Sequence, residues 1–410
     1  MDVASIKGMP LEDIDPSDQT RFVDWTLFEV FDRIRKERPV CYHKNTQYGP
    51  FWSITKYKDI MEAELDHKTF SSDAKYGGIW IKEQPQETIR KSFMVADPPV
   101  HDEQRKVVNP IVSPANLQRM EEFVRAETND ILDGLPLDTE IEWVDAMSVE
   151  LTGRVLARLM DFPFEDRRLL TEWSDLVNLD LKVGGEITDE FKKYEALAPC
   201  GAYFRRLYEE RKELPPQHDL VSMLAHASNT CNMNDQELRG MIILLMVGGN
   251  DTTRNTISGG VVALNEFPHE YEKLRANPAL VESMVPEMIR WVSPVAHMRR
   301  TATSDTEFKG EKIKKGDKVI LWYISGNRDE EMIEDPYNFI IDRKNPRQHV
   351  SFGFGVHRCF GNRLAEMQLR VFWEEMLKRN LVIETLGPPK RRFSNFVIGI
   401  DELPVKLRKA

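Results

Sequence analysis

The segment from Ser351 to Gly361 constrains the fold of this chain more than any other. It reads S-F-G-F-G-V-H-R-C-F-G and holds one cysteine, Cys359, with glycines at 353, 355 and 361 around it. Since glycine adopts positive φ without steric cost, we expect these three residues to turn the backbone and admit a flat group close to it. A helical pattern follows from Arg363 to Leu377, so the thiol lies at the positive end of a helix dipole, where thiolate is favoured. The segment predicts a loop in which Cys359 binds a metal axially.

The pattern Phe352-x-x-Gly355-x-x-x-Cys359-x-Gly361 resembles the haem-binding signature of the cytochrome P450 superfamily, in which a Cys thiolate holds the haem iron. A lone cysteine in a loop is more often structural, but the complete pattern before a helix favours the ligand. The resemblance implies haem b as cofactor, Cys359 as axial ligand of its iron, and Phe352 and Gly361 as cofactor-binding residues. It also implies a mainly α fold, a helical bundle prism with a small β-rich subdomain and a long central oxygen-binding helix.

Three further regions carry candidate contacts to the haem propionates. His101 and Arg105 are four residues apart and would share one helical face. Taken alone, this spacing is more typical of a basic pair that is exposed to solvent. In the P450 enzymes that the chain resembles, these positions reach one propionate, the arginine corresponding to Arg300 meets the other, and His357 supplies a further donor.

A long helix is predicted from Asn234 to Glu266, because Asn234 and Glu237 form a capping signal and Pro268 ends the run. Its middle reads G-G-N-D-T-T from Gly248, although each glycine costs ~1 kcal/mol in a helix and Asn, Asp and Thr compete for its hydrogen bonds. A packing glycine pair with a capped threonine is the simpler alternative.

The same motif resembles the oxygen-binding kink of P450 enzymes. There, a glycine corresponding to Gly248 leaves room for dioxygen, and an acid followed by an alcohol relays protons. Cleavage of the O–O bond requires two protons at the distal oxygen in a site otherwise kept dry. The catalytic candidates are therefore Asp251 and Thr252. A third motif, Glu287-Met288-Ile289-Arg290, matches the ExxR pair of the superfamily and implies a structural ion-pair network behind the cysteine loop.

The remaining pattern indicates one haem domain over residues 1–410, with a β-rich part at about 38–56 and 295–322 and a helical part mainly at 57–290 and 360–380. Residues 1–23 are predicted to be an irregular arm, and a lid is predicted over 177–187, hinged at Gly184 and Gly185. Periodicity and breakers place the other elements as follows: a helix over 24–36, a hairpin of Val40 to His43 and Phe51 to Thr55, and helices over 57–65, 117–132, 144–160, 165–178, 189–213 and 219–227.

Composition limits the classes of partner. The net charge of −11 argues against non-specific binding of nucleic acid, which requires a basic face. Four cysteines without CxxC spacing indicate a reducing compartment. No segment resembles a signal peptide or is long and apolar enough for a membrane span, so the sequence predicts a cytoplasmic protein. The resemblance to P450 enzymes implies a bacterial protein, and we expect a monomer.

The electron source is predicted to be external. No flavin domain, complete GxGxxG fingerprint or iron–sulfur cysteine set is present, so NAD(P)H must act through ferredoxin reductase and ferredoxin. Four basic residues near the cysteine loop suggest a docking patch for an acidic ferredoxin, with a simply solvated set of charges as the alternative. They are Lys106, Arg358, Arg363 and Arg370.

The substrate is predicted to be a hydrophobic small molecule, because the expected pocket walls are mostly apolar. These walls are Ile243, Leu244, Val247, residues 76–94, Val295 to Met298 and Phe396 to Ile398. Over nearly the whole chain the sequence resembles the bacterial soluble alkane and fatty-acid terminal hydroxylases among P450 enzymes, which implies omega hydroxylation with O2. Two alternatives remain: the same chemistry on a terpene or steroid, and a haem-thiolate sensor or peroxide-dependent enzyme.

Overall fold

The computed structural model describes residues 6–182 and 185–409, and this part of the chain is mainly α, as predicted. None of the helices in these two ranges is both long and apolar enough to span a membrane. The helices are α1 Gln19–Val23, α2 Leu27–Glu37, α3 Tyr57–Leu65, α4 Val100–Val108, α5 Pro114–Gly134, α6 Glu150–Met160, α7 Arg167–Asn178, α8 Glu190–Ala196, α9 Ala198–Lys212, α10 Leu220–His226, α11 Asp235–Glu266, α12 Pro268–Ala276, α13 Val281–Val292, α14 Tyr323–Gly326 and α15 Asn362–Lys378.

The strands form small separate sheets. They are β1 Val40–His43, β2 Phe51–Ile54, β3 Phe70–Ser71, β4 Glu140–Glu142, β5 Met298–Ala302, β6 Thr306–Phe308, β7 Glu311–Ile313, β8 Lys318–Leu321, β9 Leu381–Thr385, β10 Lys390–Arg391, β11 Ile400–Glu402 and β12 Pro404–Lys409. The five-stranded sheet has the order β1-β2-β8-β5-β3, in which β2 and β8 are parallel and the other pairs antiparallel. This sheet brings Arg300 on β5 beside the segments that precede α4.

The core forms around α11. Asn234 caps this helix with a complete capping box, its side chain accepting from Glu237 N–H while Glu237 bonds back. With 32 residues at 1.5 Å each, α11 is about 48 Å long, enough to cross the molecule. It packs against α6, α7, α9, α13 and α15, and most of its side chains between Leu238 and Leu264 are buried. The last of these partners, α15, begins directly after the cysteine loop.

Most of the predicted elements occur with small shifts. The hairpin pairs Val40 with Ile54, and α3, α11 and α15 match the predicted ranges within one or two residues. The helix predicted over 189–213 is interrupted at Leu197, because Pro199 has no N–H to donate to the preceding turn. A π-helix over Val144–Val149 begins the helix predicted at 144–160.

The predicted arm and the predicted lid are only partly covered by the described residues. The arm predicted over 1–23 contains the short helix α1, capped by the side chain of Asp18, which accepts from Thr20 N–H. Residues 1–5 of that arm lie outside the described residues. Gly184, one of the two predicted lid hinges, also lies outside them.

Candidate functional site

The cysteine loop is folded tightly against the C-terminal end of α3. Gly353 and Gly355 have φ of +64° and +63°, as predicted, and a Cβ on Gly355 would collide with the backbone carbonyl of Glu64. The Cys359 N–H donates to Phe352 O at 2.8 Å, closing the loop. The positive φ predicted for Gly361 was wrong: its φ is −85°, because it is the N-cap of α15. Gly361 does line the cavity that Cys359 also lines.

Cys359 lines a cavity, and two opposing effects act on its thiol. Burial raises the pKa of Cys359, whereas the N–H groups of Gly361 and Asn362 and the charge of Arg105 lower it. A bound cation supplies the charge that deprotonates a ligating thiol.

The predicted propionate partners converge near this loop. The Arg105 guanidinium donates to Val356 O at 2.9 Å, and the rings of His101 and His357 lie 4.5 Å apart. Arg105 and His357 line the cavity, while His101 lies behind His357 and bonds Asp102 through Nδ1 at 2.7 Å. Burial lowers the pKa of His357 to about 2, so this ring is neutral at physiological pH.

Arg300 also lines the cavity, and a residue that the sequence did not single out holds it there. Its guanidinium pairs with the fully buried carboxylate of Glu64 at 3.0 Å, and Glu64 accepts further bonds from the Tyr323 hydroxyl and Phe354 N–H. Burial raises the pKa of Glu64, and Arg300 opposes that rise. In sequence, Glu64 resembles an ordinary surface residue of a short helix, so no local signal marked it.

The central helix contributes Gly248 and Thr252 to the cavity. The helix is continuous across the two glycines, so the absence of side chains, and not a break, leaves room there. The Thr252 hydroxyl donates to Gly248 O at 3.0 Å, one turn earlier. These two residues lie together as predicted.

Asp251, the other catalytic candidate, is fully buried and does not line the cavity. Successive helical residues differ by about 100° in direction, so Asp251 and Thr252 face different sides. The Asp251 carboxylate accepts from Ser174 Oγ at 2.8 Å and from the side-chain amide of Asn178, which does line the cavity. Asn178, which the sequence analysis did not mark, therefore connects Asp251 with the cavity.

On its other side Asp251 joins a chain of charges. Arg254 bridges Asp251 at 2.6 Å and Asp175 at 2.7 Å, and Asp175 also pairs with Arg392 at 2.9 Å. Burial raises the pKa of Asp251, an effect that Arg254 and Arg392 counter. Asp175 is partly exposed, so this chain of charged groups connects Asp251 with the solvent.

The ExxR pair is buried and bonded to the cysteine loop, as predicted. Glu287 and Arg290 are fully buried and bonded twice at 2.7 Å, and Arg343 adds a bond of 2.9 Å to Glu287. Arg290 donates to Asn327 O at 2.9 Å, and the Asn327 amide donates to Ser351 Oγ at 2.8 Å. The network therefore fixes the start of the cysteine loop.

The basic residues around the loop differ in whether an acidic side chain compensates their charge. Lys106, Arg358 and Arg363 are exposed and make no side-chain hydrogen bond or ion pair with the described residues. Arg370 pairs with Glu121 at 2.6 Å and Glu374 at 2.9 Å, so its charge is compensated. Three of the four predicted cations thus carry a charge that no described residue compensates, and one of them, Arg358, also lines the cavity.

The cavity walls are largely those predicted. Ile243, Leu244 and Val247 of α11 line it together with Val295, Met298 and Phe396. Trp80 and Arg90, from the irregular segment between β3 and α4, complete this wall. The sequence analysis did not mark Arg90, which is a charged residue in this mostly apolar part of the wall.

These residues fit a haem group. The cavity contains one thiol, and the nearby cations Arg105 and Arg300 can meet two carboxylates. Both ring nitrogens of His357, which lines the cavity, are buried without a hydrogen-bond partner, a costly state that a polar group of a ligand in the cavity would relieve. Within residues 6–182 and 185–409, no group of three or more His, Cys, Asp and Glu side chains could hold a metal ion.

Comparisons with known proteins agree with this geometry. The family model described as Cytochrome P450 matches residues 187–407. Linalool 8-monooxygenase of Pseudomonas putida is 36% identical, over 92% of this chain and 95% of its own. Methyl-branched lipid omega-hydroxylase of Mycobacterium tuberculosis is 33% identical, over 92% and 90%. The solved structure of cytochrome P450-153 from Novosphingobium aromaticivorans is 42% identical, covers 96% of this chain and 99% of its own, and superposes with a TM-score of 0.91.

Proposed function

This chain belongs to the cytochrome P450 family, and from that premise we propose that it hydroxylates the terminal carbon of medium-length alkanes or fatty acids. It is a haem b monooxygenase, an enzyme that uses O2 and acts on hydrophobic substrates. The observation that carries the proposal is the mostly apolar cavity that extends along α11 to Thr252 and also reaches Cys359. Its similarity to a methyl-branched lipid omega-hydroxylase supports the terminal position.

The roles of the haem contacts follow from their places around the cavity. When bound, haem with a thiolate ligand supplies the redox chemistry that activates O2. Cys359 would hold the haem iron through its sulfur, and Phe352 and Gly361 hold the loop on either side of it. Arg105, Arg300, His101 and His357 are the proposed propionate partners, with Glu64 positioning Arg300.

Proton delivery is assigned to α11. Gly248 leaves space beside the Thr252 hydroxyl, which faces the cavity and is the proposed last donor. Asp251 is the proposed acid behind it. Because Asp251 lies on another side of the helix, we propose that protons move between the two through Asn178 or a rotation of the Asp251 side chain.

Electrons are proposed to come from NAD(P)H through ferredoxin reductase and ferredoxin. The available cations Lys106, Arg358 and Arg363 lie around the cysteine loop, on a protein of net charge −11, and suit an acidic partner. We propose that residues 1–410 act as one haem domain and as a monomer.

A second candidate function is oxidation of a terpene alcohol, which the similarity to linalool 8-monooxygenase favours. The test is reconstitution with ferredoxin, reductase and NADH, supplied in turn with a homologous series of alkanes and acids and with linalool. The proposal predicts O2 consumption and omega-hydroxylated products from the linear chains. Turnover of linalool alone supports the second candidate, and oxidation by peroxide without O2 refutes both.

A further inference from the structure

Arg90 is an unpaired cation in the wall of the substrate cavity. It is half-buried, it lines the cavity, and its guanidinium makes no hydrogen bond or ion pair with any residue in the described ranges. The guanidinium lies 5.0 Å from the ring centre of Trp80, which also lines the cavity and holds the side chain in place. A partly desolvated charge without a partner is costly to keep, so an anionic group of a ligand would find a prepared site here.

The groups around Arg90 leave an excess of positive charge. Lys193 and Arg239 lie near enough to interact with it, and the neighbouring carboxylate, Glu190, pairs instead with Lys82 at 3.1 Å. Burial, and then repulsion from Arg90, lower the pKa of Lys193 to about 8; Lys82 adds to this effect, and Glu190 and Asp180 oppose it. An added anion would therefore be attracted at this end of the cavity.

The backbone fixes Arg90 at one end of the central helix. Gly240 of α11 packs against Lys91, whose carbonyl would collide with any Cβ at position 240. Gln236 donates to Ile89 O at 3.4 Å and Glu87 O at 3.3 Å. These contacts place Arg90 at the level of the first turns of α11.

The cavity then follows one face of α11 toward the oxygen site. Its lining includes residues 240, 243, 244, 247, 248 and 252, which follow the i, i+3, i+4, i+7, i+8 and i+12 pattern of one helical face. From Gly240 to Gly248 the helix rises about 12 Å, and to Thr252 about 18 Å. An extended chain advances ~1.2 Å per bond, so these distances correspond to about 10 to 15 bonds.

We propose that Arg90 binds the carboxylate of a medium-chain fatty acid, so that the acid head lies at the Gly240 end of α11 and the terminal methyl reaches Thr252. The inference rests on the proposed function and extends it: it selects carboxylates over alkanes of the same length. The apolar wall between the two ends positions the chain, and the ion pair fixes which carbon arrives at the oxygen site.

The test compares binding of dodecanoic acid, methyl dodecanoate and dodecane by the holoenzyme, through calorimetry and the haem difference spectrum. In Arg90→Met, which retains the apolar stem, the Kd of the acid is expected to rise tenfold or more, equal to about 1.4 kcal/mol, while the Kd values of ester and alkane stay within about twofold. Arg90→Lys should recover most of the lost affinity for the acid. Arg206→Met is the matched control, because Arg206 lies over the Tyr203 ring at 4.6 Å but outside the cavity wall.

Equal weakening of acid and ester in Arg90→Met would overturn the inference, because it would indicate a change of shape instead of a lost charge. An unchanged Kd for the acid would overturn it as well. The proposed function fails by a different result: products hydroxylated away from the chain end while Arg90→Met still loses the acid selectively. If the native protein and Arg90→Met both give terminal products and bind the acid with equal Kd, the proposed function stands and the role of Arg90 is refuted.

Discussion

Removal of the Glu287 carboxylate should both destabilise the fold and loosen the cysteine loop. In the native protein this fully buried group accepts two bonds of 2.7 Å from Arg290, two from Arg343 at 2.9 and 3.2 Å, and one of 3.0 Å from Ile340 N–H. Glu287→Ala leaves the Arg290 guanidinium buried with only carbonyl acceptors such as Asn327 O and Pro336 O. Breaking a buried pair by removing one partner costs about 3–5 kcal/mol.

The loss extends to the candidate site through Asn327. Its backbone carbonyl accepts from Arg290, its Oδ1 accepts from Val350 N–H at 2.8 Å, and its amide donates to Ser351. We therefore expect Glu287→Ala to lower haem retention together with the free energy of unfolding. Glu282→Ala, at an exposed position in the first turn of the same helix, is the control and should change the unfolding free energy by no more than about 0.5 kcal/mol.

The pH dependence gives the same prediction a second readout. Burial raises the pKa of Glu287, but Arg290 and Arg343 outweigh it and bring the pKa below the ordinary 4.5. The ionised carboxylate therefore contributes its full stability above about pH 4.5, and the contribution is lost as the pH falls through the lower folded-state pKa. Urea unfolding at pH 7 and at lower pH measures this: the difference between wild type and Glu287→Ala should shrink with acid. A difference below about 1 kcal/mol at pH 7, with haem retained, would refute the reasoning.

Two other predictions concern protons and electrons. Thr252→Ala should retain haem and substrate binding but release more hydrogen peroxide per NADH, because the hydroxyl at the cavity is lost. Thr252→Ser should restore the coupling of NADH consumption to product. If Thr252→Ala is fully coupled, Thr252 has no part in the relay. Arg363→Glu should raise the KM for ferredoxin several-fold at low salt and less at high salt. Arg370→Gln removes a charge that two glutamates already compensate, so it should change this KM little. Equal effects of the two substitutions would contradict the proposed docking patch.

Those parts of the site that depend on local pattern were predictable from the sequence. The glycines at 353 and 355, the helix after Cys359 and the capping box of α11 each follow from spacing within a few residues. The Glu287–Arg290 pair follows in the same way, since residues three apart on a helix are neighbours.

The parts of the site that depend on long-range contacts were not predictable from the sequence. Glu64 reaches Arg300 across a separation of 236 residues, and Asn178 reaches Asp251 across 73. Arg90 appears in sequence as one charge in an irregular segment, and only the packing of Lys91 on Gly240 places it in the cavity wall.

The sequence paired Asp251 with Thr252 but could not show which of the two side chains faces the cavity. Adjacent helical residues point about 100° apart, yet some adjacent pairs on α11, such as Val247 and Gly248, both line it. The structure places only Thr252 there. Likewise Gly361 occupies a helix N-cap with negative φ, a role that the glycine pattern alone did not distinguish from a turn.

The central claim is that the sulfur of Cys359 holds the haem iron. The direct measurement is the absorption spectrum of the reduced protein with carbon monoxide, recorded for wild type, Cys359→Ala and Cys231→Ala. Thiolate ligation predicts a band near ~450 nm in wild type and in Cys231→Ala, and its loss in Cys359→Ala. Retention of that band in Cys359→Ala would contradict the account, as would a wild-type spectrum that shows iron held by nitrogen.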